Sequence, residues 1–165
     1  MNSLQDYVAS YPDGANAVTA QYYLAETLRR TGRKEAACDM YRKVIDAGGI
    51  YKEPSLSSYG QLSYELEHYS RAAGAFTELA SVTTMDDVRC GAFSGLMRSC
   101  YKARRMEQAV SAADSVLTYT FAAHDVLREA TFIKAKALSS LGSRDAALAG
   151  YKSLISDCSD VNAIE

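Results

Sequence analysis

The chain has 165 residues, of which 48% are apolar and 23% charged, and its formal net charge is −2. That length can bury a core of its own, and the charge balance gives no footing to a binder of nucleic acid or another polyanion. Two prolines and no Ser/Gly-rich run argue against a linker or a disordered chain. No apolar run approaches the roughly 18 residues of a membrane span.

The N-terminal MNSLQDYVASYPDG lacks the basic start and long apolar segment of a signal peptide. Leu4, Tyr7, Val8 and Tyr11, followed by Pro12-Asp13-Gly14, read as a helix over about residues 2–11 with its closing turn. Run backward from Pro12, the repeat would place its partner helix before Met1. This orphan suggests a piece cut from a longer array of helix pairs. The alternative is a helix adapted as a cap, but a cap wants a polar outer face and Tyr7 and Tyr11 do not clearly supply one.

A helix pair is expected over about residues 15–47. Leu24, Ala25 and Leu28 share one face of its first helix. Gly32 breaks the periodicity where a turn is needed. Ala37, Tyr41, Val44 and Ile45 share one face of a second helix, which Gly48-Gly49 end. Such a pair cannot bury its apolar faces alone and needs copies beside it.

The next pair is expected over about residues 53–81, with Pro54 in its first turn, where the missing N–H costs nothing. Gly60 and Gly74 each cost a helix about 1 kcal/mol relative to Ala, so both imply close helix contact. A third pair spans about residues 86–120. It starts after Thr83-Thr84, with Asp86-Asp87 in a capping-box-like arrangement, and Phe93, Leu96, Met97 and Cys100 form its inward stripe. A fourth spans about residues 124–157, with Phe132, Ala135 and Leu138 in one helix and Ala147, Tyr151, Leu154 and Ile155 in the other. Residues 157–165 carry no turn signal and stop short of a further helix.

These pairs are copies of one another. Ala37 with Tyr41 recurs as Ala72 with Phe76, Ala109 with Ala113, and Ala147 with Tyr151, at spacings of 35, 37 and 38 residues. Val44-Ile45 recurs as Leu79-Ala80, Val116-Leu117 and Leu154-Ile155. Leu24-Ala25 recurs as Tyr59-Gly60, Leu96-Met97 and Lys134-Ala135. Gly142 repeats the turn glycine Gly32. Glu67-His68 and Arg104-Arg105 stand at the other two turns, which points to a 3₁₀ connection there.

The chain carries no catalytic constellation and no call for a cofactor or metal. His68 and His124 have no second histidine at i+3 or i+4. Gly48-Gly49 has no Lys-Ser/Thr after it, and no serine stands in a nucleophile elbow. Asp86-Asp87 reads as charge at a helix N-terminus. Cys38, Cys90, Cys100 and Cys158 form no C-x-x-C pair. They read as small buried hydrophobes, with a lean toward a reducing compartment.

The repeated order of apolar residue, small residue, turn, small residue and aromatic over about 34 residues resembles the tetratricopeptide repeat (TPR). The resemblance covers nearly the whole chain. Departures are the absence of Trp, whose place is taken by Gln21, Leu56, Phe93 and Thr131, and a closing proline only at Pro12. It implies an all-α, right-handed superhelical solenoid of antiparallel hairpins over residues 1–165, without enzymatic activity. Within the family, YVASYPDGANAVTAQYYLAETLRRTGRKEAACDMYRKVI is similar to bacterial envelope repeat proteins, which implies a periplasmic setting.

In the family, first helices line the concave side and hold partner segments. Stepping by 3.6 residues places Tyr22, Glu26, Arg29 and Arg30 on that side in the first pair. The matching positions are Ser57, Gln61, Tyr64 and Glu65, then Ser94, Arg98, Tyr101 and Lys102, then Phe132, Lys136, Ser139 and Ser140. Aromatic and Arg residues are enriched at interfaces. The resemblance therefore implies a protein or peptide partner, oriented by Arg98, Lys102 or Lys136. The family's dicarboxylate clamp is not carried over, because its Asn positions read Glu26, Gln61, Arg98 and Lys136. Competing expectations are a structural spacer, or a regulatory segment of a larger envelope protein or enzyme. Exposed end helices also leave room for self-association.

Overall fold

The structure, a computed structural model, describes residues 2–11 and 14–162. Pro12 and Asp13, expected to close the first helix, and the side chain of Cys158 lie outside the described residues. All regular structure among the described residues is helical: α1 (Asn2–Ser10), α2 (Ala17–Arg30), α3 (Lys34–Ala47), α4 (Lys52–Glu65), α5 (Tyr69–Val82), α6 (Asp86–Lys102), α7 (Met106–Leu117), α8 (His124–Ser140) and α9 (Arg144–Asn162). The last helix runs past residue 157, where the sequence pattern fades. The chain divides into two compact units, Met1–Val82 and Thr83–Glu165.

In the first unit α2 packs on α3, α3 on α4 and α4 on α5, while α1 rests against α2. In the second, α6 packs on α7, α7 on α8 and α8 on α9, and the first helices α6 and α8 also touch. These are the expected antiparallel hairpins. The four repeat alanines sit in like surroundings: Ala37, Ala72 and Ala109 are fully buried and Ala147 is 3% exposed. Of the apolar pairs one turn further on, the first member belongs to the core in three repeats, at Val44, Leu79 and Val116, and is half-buried as Leu154. The second member is buried only as Ile45; Leu117 and Ile155 are exposed. The inward stripe of α6 is confirmed at Met97 and Cys100, with Phe93 and Leu96 half-buried against the same cluster.

Size is exchanged across the second hairpin, where Gly60 lies under Phe76. In the third, Met97 and Ala113 share one core cluster, and in the fourth Ala135 faces Gly150, where an added Cβ would stand 3.1 Å away. The fit is tightest at Gly60, where a Cβ would stand 2.9 Å from the Phe76 ring. Gly60 is therefore the close contact foreseen for it. Gly74 is not: it is exposed and a Cβ there would meet nothing within 4 Å.

The four hairpin turns share one geometry. The amide after each turn residue donates to the carbonyl five residues back: Arg33 to Leu28 (2.9 Å), His68 to Ser63 (2.8 Å), Arg105 to Cys100 (2.9 Å) and Ser143 to Leu138 (2.9 Å). The turn residue itself is left-handed, with φ of 75° at Gly32, 61° at Glu67, 61° at Arg104 and 83° at Gly142. This is the Schellman arrangement. The 3₁₀ connection expected at the middle turns is thus replaced by the glycine conformation imposed on Glu67 and Arg104. The capping box foreseen for α6 is also absent. Thr83 Oγ1 accepts from the Met85 amide (3.2 Å), and Asp86 takes up Arg89 at 2.8 Å.

Ser55 is fully buried in α4, and its Oγ finds no hydrogen-bond partner among the described residues. The equivalent positions are the buried Ala20, Ala92 and Ala130. A left-handed conformation costs a side-chain residue roughly 1–2 kcal/mol, and an unsatisfied hydroxyl costs a similar amount. Glu67→Gly, Arg104→Gly and Ser55→Ala are each expected to raise stability in urea unfolding, by up to about 1 kcal/mol once the glycines' unfolded-state entropy is included. Gly60→Ala is expected to lower it by about 1–3 kcal/mol through overpacking.

Candidate functional site

In the first unit the surface of α2 is built around a buried tyrosine. Tyr41 lies in the hairpin core with no exposed surface, yet its hydroxyl crosses to α2 and donates a short hydrogen bond to Glu26 Oε1. The other carboxylate oxygen accepts from Arg29 Nη2 at 2.8 Å. Burial alone would push the Glu26 carboxyl up. The hydrogen bonds from Arg29 and Tyr41, with the charges of Arg29 and Arg30, outweigh it and hold Glu26 below its ordinary value of 4.5. The Tyr41 hydroxyl is pushed up to about 12, by burial first and by Glu26 second. Beside this network Tyr22 stacks on Tyr51 with ring centroids 4.5 Å apart, and Tyr23 meets both edge-on.

One hairpin further on, Gln61 Nε2 donates to Glu65 Oε1 (3.1 Å), and Lys34 reaches the other oxygen at 2.7 Å. These two contacts, Lys34 first, hold Glu65 low. Tyr64 turns to its own hairpin and packs edge-on against Tyr69 at 5.4 Å.

In the second unit, Arg98 of α6 and Glu129 of α8 form a two-pronged ion pair, with Nε to Oε1 at 2.7 Å and Nη2 to Oε2 shorter still. A ligand carboxylate reaching Arg98 would therefore compete with Glu129. Further along the same two helices, the Lys136 ammonium lies over two rings, 5.8 Å from the Tyr101 centroid and 5.2 Å from that of Phe132. Phe132 is 46% exposed and meets Tyr151 edge-on at 6.4 Å. Lys102 is exposed on α6.

Ten first-helix residues were expected on one surface: Tyr22, Glu26, Arg29, Gln61, Tyr64, Arg98, Tyr101, Lys102, Phe132 and Lys136. Tyr22, Glu26 and Arg29 form one cluster, and Tyr101, Phe132 and Lys136 another. Gln61, Tyr64 and Arg98 each have a separate partner. Two contributors were missed. Glu129 lies three residues before Phe132 on the same face of α8, so extending the register by one turn finds it. Tyr51 comes from the α3–α4 connection and obeys no helical period.

Cys38, Cys90 and Cys100 are free and buried, and burial raises each, Cys38 to about 11.

Tyr41→Phe removes the donor to Glu26 and is expected to cost about 2 kcal/mol at pH 7, the range for a hydrogen bond to a charged group. Glu26 has a depressed folded-state pKa, so its contribution is complete above about pH 4.5 and is lost as pH falls below that value. Urea unfolding of the variant should accordingly show a smaller loss of stability on acidification than the parent.

Residues 19–47 match the tetratricopeptide repeat family. A comparison with curated proteins returns no match. Among solved structures, MamA superposes with a TM-score of 0.71 at 15% identity, covering 98% of this chain and 90% of that one. YrrB, a TPR protein with an unusual peptide-binding site, gives 0.69 at 17% identity over 94% and 78%. The nearly identical TPR-like repeats assigned to a kinesin light chain of Podosopora anserina give 0.68 at 13% over 96% and 85%. Residues 19–47 are thus a tetratricopeptide repeat, and the chain around them has the fold of tetratricopeptide-repeat proteins.

Proposed function

We propose that the chain is a non-catalytic protein-binding module that takes a segment of a partner protein on the first-helix surface of its second unit, around Tyr101, Phe132 and Lys136. The observation that carries this reading is an exposed aromatic ring beneath an ammonium group, on a fold whose other large apolar side chains mostly serve hairpin packing. Phe132 offers apolar area for an aliphatic or aromatic anchor. Lys136, held over the rings, offers a positioned charge for a neighbouring carboxylate. YrrB, similar in fold, has a peptide-binding site. Against acid–base work, three first-helix carboxylates are tied to structural partners: Glu26 to Tyr41 and Arg29, Glu65 to Lys34 and Gln61, and Glu129 to Arg98.

Selection from a phage-displayed library of random peptides tests this. Recovered peptides should pair an acidic residue with a large apolar one. Their affinity should fall at least tenfold in Phe132→Ala and in Lys136→Glu, both folded by circular dichroism. Peptides that bind the two variants as well as the parent, or the recovery of no binder, would overturn the proposal.

A further inference from the structure

The second unit holds a cleft of about 370 Å³ along the N-terminal half of α6, closed on its far side by the α7–α8 connection and the start of α8. Its floor is Cys90, Gly91 and Ser94, and its wall is Phe121 with Val126. Asp87 stands at one end and Arg98 at the other. Eleven residues of helix separate those two, about 16 Å, which an extended peptide of about five residues spans.

Three features make this cleft more than a gap between helices. Gly91 sits in the interior of α6, exposed, and a Cβ there would meet nothing within 4 Å. Glycine lowers helix stability, and no packing contact explains it here; what it does is leave the floor bare, where a ligand can approach the backbone. Phe121 is 59% exposed and lines the cleft, with its ring edge-on to Tyr119 at 5.4 Å. The charges are also uneven. Arg98 is answered by Glu129, and Asp86 at the rim by Arg89 at 2.8 Å. Asp87 has no ion-pair partner among the described residues, and its full negative charge exceeds the roughly half positive charge of the α6 N-terminus.

We infer that this cleft binds a basic side chain, arginine or lysine, of a partner peptide, with the cation between the Asp87 carboxylate and the Phe121 ring and the peptide backbone over Gly91. A carboxylate and an aromatic ring lining one cleft are groups that a guanidinium or ammonium group can engage together. The inference stands apart from the surface around Phe132 and Lys136, which would take the opposite charge.

The probe is acetyl-Ala-Leu-Arg-Leu-Ala-amide, with the same peptide carrying Gln in place of Arg as control. Both are titrated into the 15N-labelled full chain while amide shifts are followed. The amides of Gly91, Ser94 and Ala122 should move saturably with the arginine peptide, at least fivefold tighter than with the glutamine peptide. Asp87→Asn should remove that preference. Gly91→Leu should abolish the shifts, whereas Gly91→Ala should raise the thermal midpoint, which separates an open floor from a structural need for glycine. If Gly91→Leu does not fold, the Asp87→Asn result decides alone. Equal affinity for the two peptides, an undiminished preference in Asp87→Asn, or the absence of saturable shifts would overturn the inference.

Discussion

Two helices can lie against each other along their length only if side-chain volume at the crossing is shared between them, and this limit organises the chain. Each second helix brings a buried alanine to its crossing: Ala37, Ala72, Ala109 or Ala147. One turn further, in the second hairpin, bulk on one helix is matched by its lack on the other. Phe76 occupies the space that Gly60 leaves open. In the third hairpin the roles reverse, with Met97 and Ala113 both fully buried in one cluster. Interiors are packed closely enough that one methylene is felt. The exchange therefore defines a register as well as a contact.

Register in turn decides what the surface can offer. The first helices also carry polar side chains that packing does not use. There the charged side chains of the two units are mostly paired among themselves. Glu26 is tied down through the hydroxyl of a core tyrosine, Glu65 by Lys34 and Arg98 by Glu129. The Glu26 and Arg98–Glu129 contacts are partly buried and hold position better than isolated surface charges, which gain little in water. The two partner sites proposed above lie in the second unit: the Phe132 ring with its overlying ammonium, and the cleft lined by Asp87 and Phe121.

Hairpins and crossings were legible in the sequence because they rest on periodicity and residue size. The four alanines, the first-helix registers and the break at Gly32 can be counted from the chain itself. The middle turns were not legible, because Glu67 and Arg104 have no local reason to adopt φ of 61°; the helices packed on either side impose it. Gly74 and Gly91 show a related limit. A glycine in a helix looks the same on paper whether a ring presses on it, as at Gly60, or open space lies above it. Among the candidate residues, Tyr101, Phe132 and Lys136 lie together. Helical stepping could not foresee that Arg98 would be occupied by Glu129, or that Tyr41, assigned to the core, would hold Glu26 from beneath.

The exchange of volume across the third hairpin gives the most direct measurement. A double-mutant cycle on Met97→Ala and Ala113→Phe, read by urea unfolding, compares each single change with the pair. Ala113→Phe alone should overpack the crossing and cost about 1–3 kcal/mol, and Met97→Ala alone should leave a cavity costing about 2–5 kcal/mol. Together they rebuild the arrangement of the second hairpin, so the double variant should be more stable than the sum of the two losses by at least about 1 kcal/mol. Losses that simply add, to within about 0.5 kcal/mol, would contradict the account.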